Sequence, residues 1–171
     1  MRYCCLLLLF TTCSYADPSP VSKTFTVSAT VVNGCLFGDG NNNNAQLGTI
    51  NFGTLGDLHN GVDIISTAGA GAVVLTCTPG LSLTIALDYG LNNGSDSARY
   101  LSSTTTNTKL AYQLYQDASY STVWGTGVQA RSIASFPTTP QIYPVYARLF
   151  TTDTIPAGGV YKDTITVTVT W

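Results

Sequence analysis

The sequence has no glutamate, a single histidine and a single methionine, and only seven basic residues stand against nine aspartates. Each shortage removes a class of function. Without clustered Lys and Arg nothing can neutralise a phosphate backbone, so nucleic acid is not expected as a partner. With His59 as the sole imidazole, in Leu58-His59-Asn60-Gly61, and no Gly-x-Ser-x-Gly elbow, a nucleophile–His–acid site lacks its parts. No phosphate-cradling loop and no dinucleotide fingerprint occurs. Paired carboxylates for glycoside hydrolysis stay open among nine aspartates, because any fold can bring two together. Most of them, however, sit in turn contexts such as Gly38-Asp39-Gly40 and Asn93-Gly94-Ser95-Asp96, where Asp bonds nearby backbone. No catalytic, cofactor-binding or metal-binding residues are therefore expected.

Long hydrophobic runs are missing too. The apolar stretch of residues 4–10, after Met1-Arg2-Tyr3 and before the small-x-small Ser14-Tyr15-Ala16, is too short to span a bilayer and reads as a secretory signal peptide, residues 1–16, cut after Ala16. A lipid anchor on Cys13 is the competing reading, with Thr12 standing where a Gly, Ala or Ser is usual. Cleavage leaves 155 of the 171 residues, enough for one domain, and takes away Arg2, so that six basic residues face nine acids. It also takes Cys4, Cys5 and Cys13. Cys35 and Cys77 remain, and in an oxidising compartment two cysteines read as one disulfide. Closing a loop of about 40 residues contributes roughly 3–4 kcal/mol in the chain-entropy model. A metal site is the alternative, but two thiols and one histidine make a poor ligand set.

What the chain does contain is β pattern. Residues 161–171 place Ile165, Val167, Val169 and Trp171 on one face and Thr164, Thr166, Thr168 and Thr170 on the other, the period-two alternation of a half-buried strand. A second alternating run, residues 21–32, carries Phe25, Val27, Ala29 and Val31 on its apolar face. Between them, strands are expected at residues 47–55, 73–77, 81–88, 109–117 and 145–150, with Thr78-Pro79-Gly80 as a turn. Residues 123–127, Val-Trp-Gly-Thr-Gly, read as a tight turn carrying an aromatic. Asp39-x-Asn41-x-Asn43 opens like a calcium loop, but Asn44 replaces the required Gly and Ile50 the required Glu, which favours an exposed loop. Ten tyrosines and two tryptophans could form a sugar platform or fill a sandwich core. About seven short strands without an amphipathic helix indicate an all-β sandwich of immunoglobulin type in one domain.

Taken together, several segments resemble the spore coat protein U family, the subunits of archaic chaperone-usher pili. They are Asn33-Gly34-Cys35, Leu47-Gly-Thr-Ile-Asn-Phe-Gly53, the Cys77 strand, Tyr112-Gln-Leu-Tyr-Gln-Asp117 with Trp124-Gly125, Pro144-Val-Tyr-Ala-Arg148, and residues 156–170. The resemblance implies an incomplete immunoglobulin-like sandwich, completed by a strand donated from a chaperone or a neighbouring subunit. It implies a donor segment within residues 17–32, with Phe25, Val27, Ala29 and Val31 as plugs, and a pilin domain over residues 33–171. The acceptor groove would be lined by Ile165, Val167, Val169 and Trp171. Implied partners are a periplasmic pilus chaperone, an outer-membrane usher and neighbouring subunits in an open filament at the cell surface, serving adhesion and biofilm formation. A secreted spore-coat-type structural protein and a carbohydrate-binding adhesin module are the other readings.

Overall fold

The structure is a computed structural model that describes residues 19–38 and 47–171. The expected signal peptide and the Asp39-x-Asn41-x-Asn43 loop lie outside the described residues. Two units are distinguished, dividing between Val31 and Val32.

In the first unit, residues 19–31 form no strand, and Phe25, Val27 and Val31 are 87%, 82% and 94% exposed. The alternation there is real, but a strand needs a neighbour to take its backbone hydrogen bonds. The expectation of a strand within this chain at residues 21–32 is not met.

The second unit is built from antiparallel ladders. In chain order its strands are β1 Cys35–Phe37, β2 Val62–Ile65, β3 Val73–Cys77, β4 Leu83–Leu87, β5 Arg99–Ser103, β6 Lys109–Tyr115, β7 Arg131–Ile133, β8 Gln141–Tyr143, β9 Tyr146–Leu149, β10 Tyr161–Lys162 and β11 Val167–Thr170. Among the described residues the one helical element is a 3-10 turn, Gly127–Gln129. A five-stranded sheet runs β10-β5-β6-β9-β2, and two three-stranded sheets run β1-β3-β8 and β11-β4-β7. The all-β expectation holds.

Alternation drives the core. Val73, Leu75 and Cys77 of β3, Leu83, Ile85 and Leu87 of β4, and Leu110, Tyr112 and Leu114 of β6 are buried, as residues i, i+2 and i+4 of a strand with one covered face should be. Trp124, in the segment read from sequence as a tight turn carrying an aromatic, is fully buried, and its Nε1 donates to the Ile85 carbonyl at 2.9 Å. Beside it lies Arg99, also fully buried. Its guanidinium donates to the carbonyls of Asp88 (2.7 Å), Trp124 (2.7 Å) and Leu87 (3.3 Å) and to Gln113 Oε1. Burial pulls the Arg99 pKa below its ordinary value, while the carbonyl cluster satisfies its donors.

Two further strand expectations are corrected. Residues 47–55, read as a short strand with a bulge or a close backbone approach, contribute an isolated bridge, Gly48 to Ala70, and no ladder. The close approach is there: a Cβ at Gly48 would lie 1.9 Å from the Gly69 carbonyl oxygen. Residues 161–171 are not one strand: β10 pairs with β5 in the five-stranded sheet, and β11 pairs with β4 in a three-stranded one. Finally β1, β2, β5, β7 and β8 were not anticipated, being three to five residues long.

Candidate strand-accepting groove

The two three-stranded sheets end against each other at β1 and β11, and no ladder joins these edges. On β1, the Thr78 N–H donates to the Gly34 carbonyl (2.9 Å), the Gly34 N–H donates to Thr78 Oγ1 (3.0 Å), and the Gly38 N–H donates to the Val74 carbonyl (2.8 Å). Gly34, Leu36 and Gly38 thus spend their backbone groups on the β3 side. Antiparallel alternation turns those of Cys35 and Phe37 the other way. On the opposite wall the Asp88 N–H donates to the Thr166 carbonyl at 3.0 Å. The same alternation turns the groups of Val167 and Val169 away from β4. Among the described residues, two edges with unspent donors and acceptors therefore flank one gap.

The gap is apolar. One cavity of about 310 Å3 is lined by Ile50, Phe52, Leu101, Tyr112, Ile165 and Val167 among others. A second, of about 300 Å3, is lined by Cys35, Phe37, Leu75, Val167, Val169 and Trp171 among others. Val167 belongs to both, so the two are successive parts of one groove. Its first wall is formed by β1 and then residues 47–52, and its second by residues 163–171. All four residues singled out on the last segment border it, with Trp171 at the rim, 56% exposed. The four residues of the expected donor, Phe25, Val27, Ala29 and Val31, lie in residues 19–31, which belong to no ladder.

Cys35 and Cys77 are joined by a disulfide between directly opposed residues of β1 and β3. This ties the three-residue β1 to the domain and so fixes the first wall.

Sequence reasoning missed the first wall and one polar member of the second. Phe37, two residues after Cys35, and Ile50 with Phe52, two apart, carry the same alternation in runs too short to stand out. Among the described residues Asp163 is the sole charged one lining the two cavities. Its Oδ2 accepts from the Tyr112 hydroxyl at 2.7 Å, and its Oδ1 accepts from the Leu91 N–H (3.0 Å), Asn92 Nδ2 (3.0 Å) and the Thr164 N–H (2.9 Å). Burial and the bond to this carboxylate push the Tyr112 hydroxyl well above the usual phenol range. Asp88 Oδ1 accepts from the Thr166 N–H at 3.0 Å. The two carboxylates thus hold residues 163–166, where the last segment leaves one sheet for the other.

His59 is exposed in a loop, its N–H donating to Asp57 Oδ1 at 3.2 Å. Among the described residues no three His, Cys, Asp or Glu side chains are grouped to hold a metal, and no helix is long and apolar enough to cross a membrane.

A family model described as the Spore Coat Protein U domain matches residues 21–168. Among solved structures, a similar chain occurs in the crystal structure of the CsuC-CsuE chaperone-tip adhesion subunit pre-assembly complex from the archaic chaperone-usher Csu pili of Acinetobacter baumannii. It superposes with a TM-score of 0.58 at 23% identity over 83% of this chain and 41% of that one. The likeness establishes a shared fold, and this chain spans about two fifths of the length of the other. No curated protein matches the chain.

Proposed function

The chain belongs to the Spore Coat Protein U domain family, and on that premise we propose that it is a structural subunit of an archaic chaperone-usher pilus, polymerising by donor-strand complementation. The observation that carries this reading is the pair of unpaired edges, β1 and β11, facing each other across an apolar groove. An open edge of this kind is a template for another strand, and β-strand addition supplies main-chain hydrogen bonds for affinity and side-chain pockets for specificity.

The occupant in the filament is the segment around residues 21–31 of a second copy, with Phe25, Val27, Ala29 and Val31 entering the groove. Burying three large apolar side chains and one small one contributes roughly 5–8 kcal/mol, an upper estimate. Residues 17–32 then act as the donor and residues 33–171 as the receiving domain. Before assembly a periplasmic chaperone lends the missing strand, and an outer-membrane usher oversees the exchange. Donor and groove are different surfaces, so association is head to tail and gives an open filament rather than a ring. The subunit is exported through the periplasm to the cell surface, works in adhesion and biofilm formation, and has no turnover.

The experiment is a denaturing gel of the chain co-expressed with its chaperone and usher, run with and without boiling. A ladder that collapses on boiling is expected, and deleting residues 21–31 should remove it while leaving the chaperone complex intact. Absence of a ladder from the undeleted chain would sink the proposal.

A further inference from the structure

The groove has a polar stop at one end, and the donor pattern has matching ones. On the second wall, Asp163, Ile165, Val167, Val169 and Trp171 share one parity and all line the groove, so a carboxylate precedes four apolar positions. On the segment of residues 19–34 the matching parity reads Ser19, Val21, Lys23, Phe25, Val27, Ala29, Val31, Asn33, with Phe25 to Val31 as its longest apolar run. Four apolar side chains are bracketed by two polar ones. Whichever direction a donor runs, four plugs laid over four apolar wall positions bring a polar residue, Lys23 or Asn33, to Asp163.

We infer that Asp163 sets the register of the incoming strand. The inference rests on the strand-accepting reading above. A two-residue slip keeps every plug facing inward, so alternation alone cannot prevent it; only a one-residue slip flips the faces. A slip towards Asp163 moves the donor by about 7 Å and drives an apolar plug against the carboxylate, which costs free energy because a charge is cut off from water without a new partner. Asp163 cannot swing aside, since four donors from Tyr112, Leu91, Asn92 and Thr164 hold it. A slip the other way carries a plug past Trp171 and out of the groove.

The test uses the full chain with chaperone and usher, and reads register by cross-linking. Ser28 is the midpoint of the four plugs and Thr168 the midpoint of the four wall residues, so they oppose each other in either strand direction. Both lie on the outward parity, and Thr168 is exposed. Outward neighbours across a strand pair have Cβ atoms about 4.5–5.5 Å apart, close enough for a disulfide after slight adjustment. Ser28→Cys should therefore link copies through Thr168→Cys, and at least tenfold less through Thr166→Cys or Thr170→Cys. With Asp163→Leu the stop becomes a fifth apolar position, and linkage through Thr166→Cys should rise to rival that through Thr168→Cys. Asp163→Asn, polar and isosteric, should keep the Thr168→Cys preference. A purely structural role for Asp163 would change yield or melting but not the preferred partner.

Should Asp163→Leu fail to give chaperone-bound subunit, the donor side decides on an unaltered domain. Lys23→Leu and Asn33→Leu are made separately, and the one that abuts Asp163 should lower linkage through Thr168→Cys several-fold, while the other leaves it alone. An unchanged Thr168→Cys preference in Asp163→Leu, or no effect of either donor variant, overturns the inference. A parent chain that forms no ladder fails the strand-donation reading instead, so the two failures are distinguishable.

Discussion

Gly90 and Asp163 are fitted to one another: a Cβ on Gly90 would lie 2.0 Å from Asp163 Oδ2. Gly90 also has a φ of +80°, a conformation that side chains rarely adopt. The turn at residues 88–92 can thus reach the carboxylate with the Leu91 N–H and the Asn92 side chain. A turn on one sheet thereby positions the wall of a groove formed with another.

Gly90→Ala should consequently destabilise the domain by about 1–3 kcal/mol, combining left-handed strain with displacement of Asp163. Thermal melting of the subunit–chaperone complex measures it, and an unchanged melting temperature would show that the turn yields freely.

Arg99→Met should cost about 2–4 kcal/mol. It leaves the carbonyls of Asp88 and Trp124 buried without the donors they have now. Arg99→Lys should not restore stability, because one ammonium cannot span carbonyls that a planar fork reaches together. Comparing the melting of the three chains checks both statements.

Replacing Cys35 and Cys77 together by Ser should lower stability by about 3–4 kcal/mol. The loss should fall hardest on strand acceptance, since β1 has three residues and the disulfide ties it to β3. Expected is a larger drop in ladder yield than in recovery of chaperone complex, quantified on the same gels.

Acid should loosen the turn at residues 117–122 late. The Asp117 carboxylate accepts from the N–H groups of Ser119 (3.0 Å), Ser121 (3.2 Å) and Thr122 (2.7 Å) and from the hydroxyls of both serines. The Ser119 hydroxyl and these backbone donors hold its pKa well below the usual carboxylate range. A depressed folded-state pKa contributes stability that is complete above the unfolded value, about 4, and is lost as pH falls towards the folded one. Amide exchange at Ser119, Ser121 and Thr122, corrected for intrinsic rates, should stay protected down to about pH 4 and rise in stronger acid. Asp117→Ala should raise it at neutral pH.

Val27→Asp should abolish the heat-labile ladder, because a carboxylate would have to enter the groove. Thr26→Asp, on the opposite parity, should leave it. Equal effects from the two substitutions would count against the assigned face of the donor.

Much of the fold could be read in advance, and the reasons are local. β3, β4, β6 and β9 fall within the expected segments because buried apolar residues recur every second position, which depends only on neighbouring residues. The turn at residues 78–80 is where Pro79-Gly80 promises it, with the Leu81 N–H donating to the Thr78 carbonyl at 3.2 Å. The short strands β1, β2, β5, β7 and β8 escaped because their pairing comes from neighbours far along the chain. Arg99 in β5 looks like a surface residue locally, and Trp124 after β6 like part of a turn; carbonyls brought from Asp88 and Ile85 make their burial tolerable.

By itself the sequence determined that the chain is all-β, that Cys35 and Cys77 pair, and which faces of residues 21–31 and 165–171 are apolar. It also placed Ile165, Val167, Val169 and Trp171 on one side of a strand. Only the tertiary structure decided that the last segment changes sheets at residues 163–166, that the edges of β1 and β11 face one apolar groove, and that Asp163 lines it. Side-chain alternation is a property of the backbone of each strand, whereas a backbone hydrogen bond needs a partner. Which donors and acceptors stay unspent is known only when every strand has its neighbours.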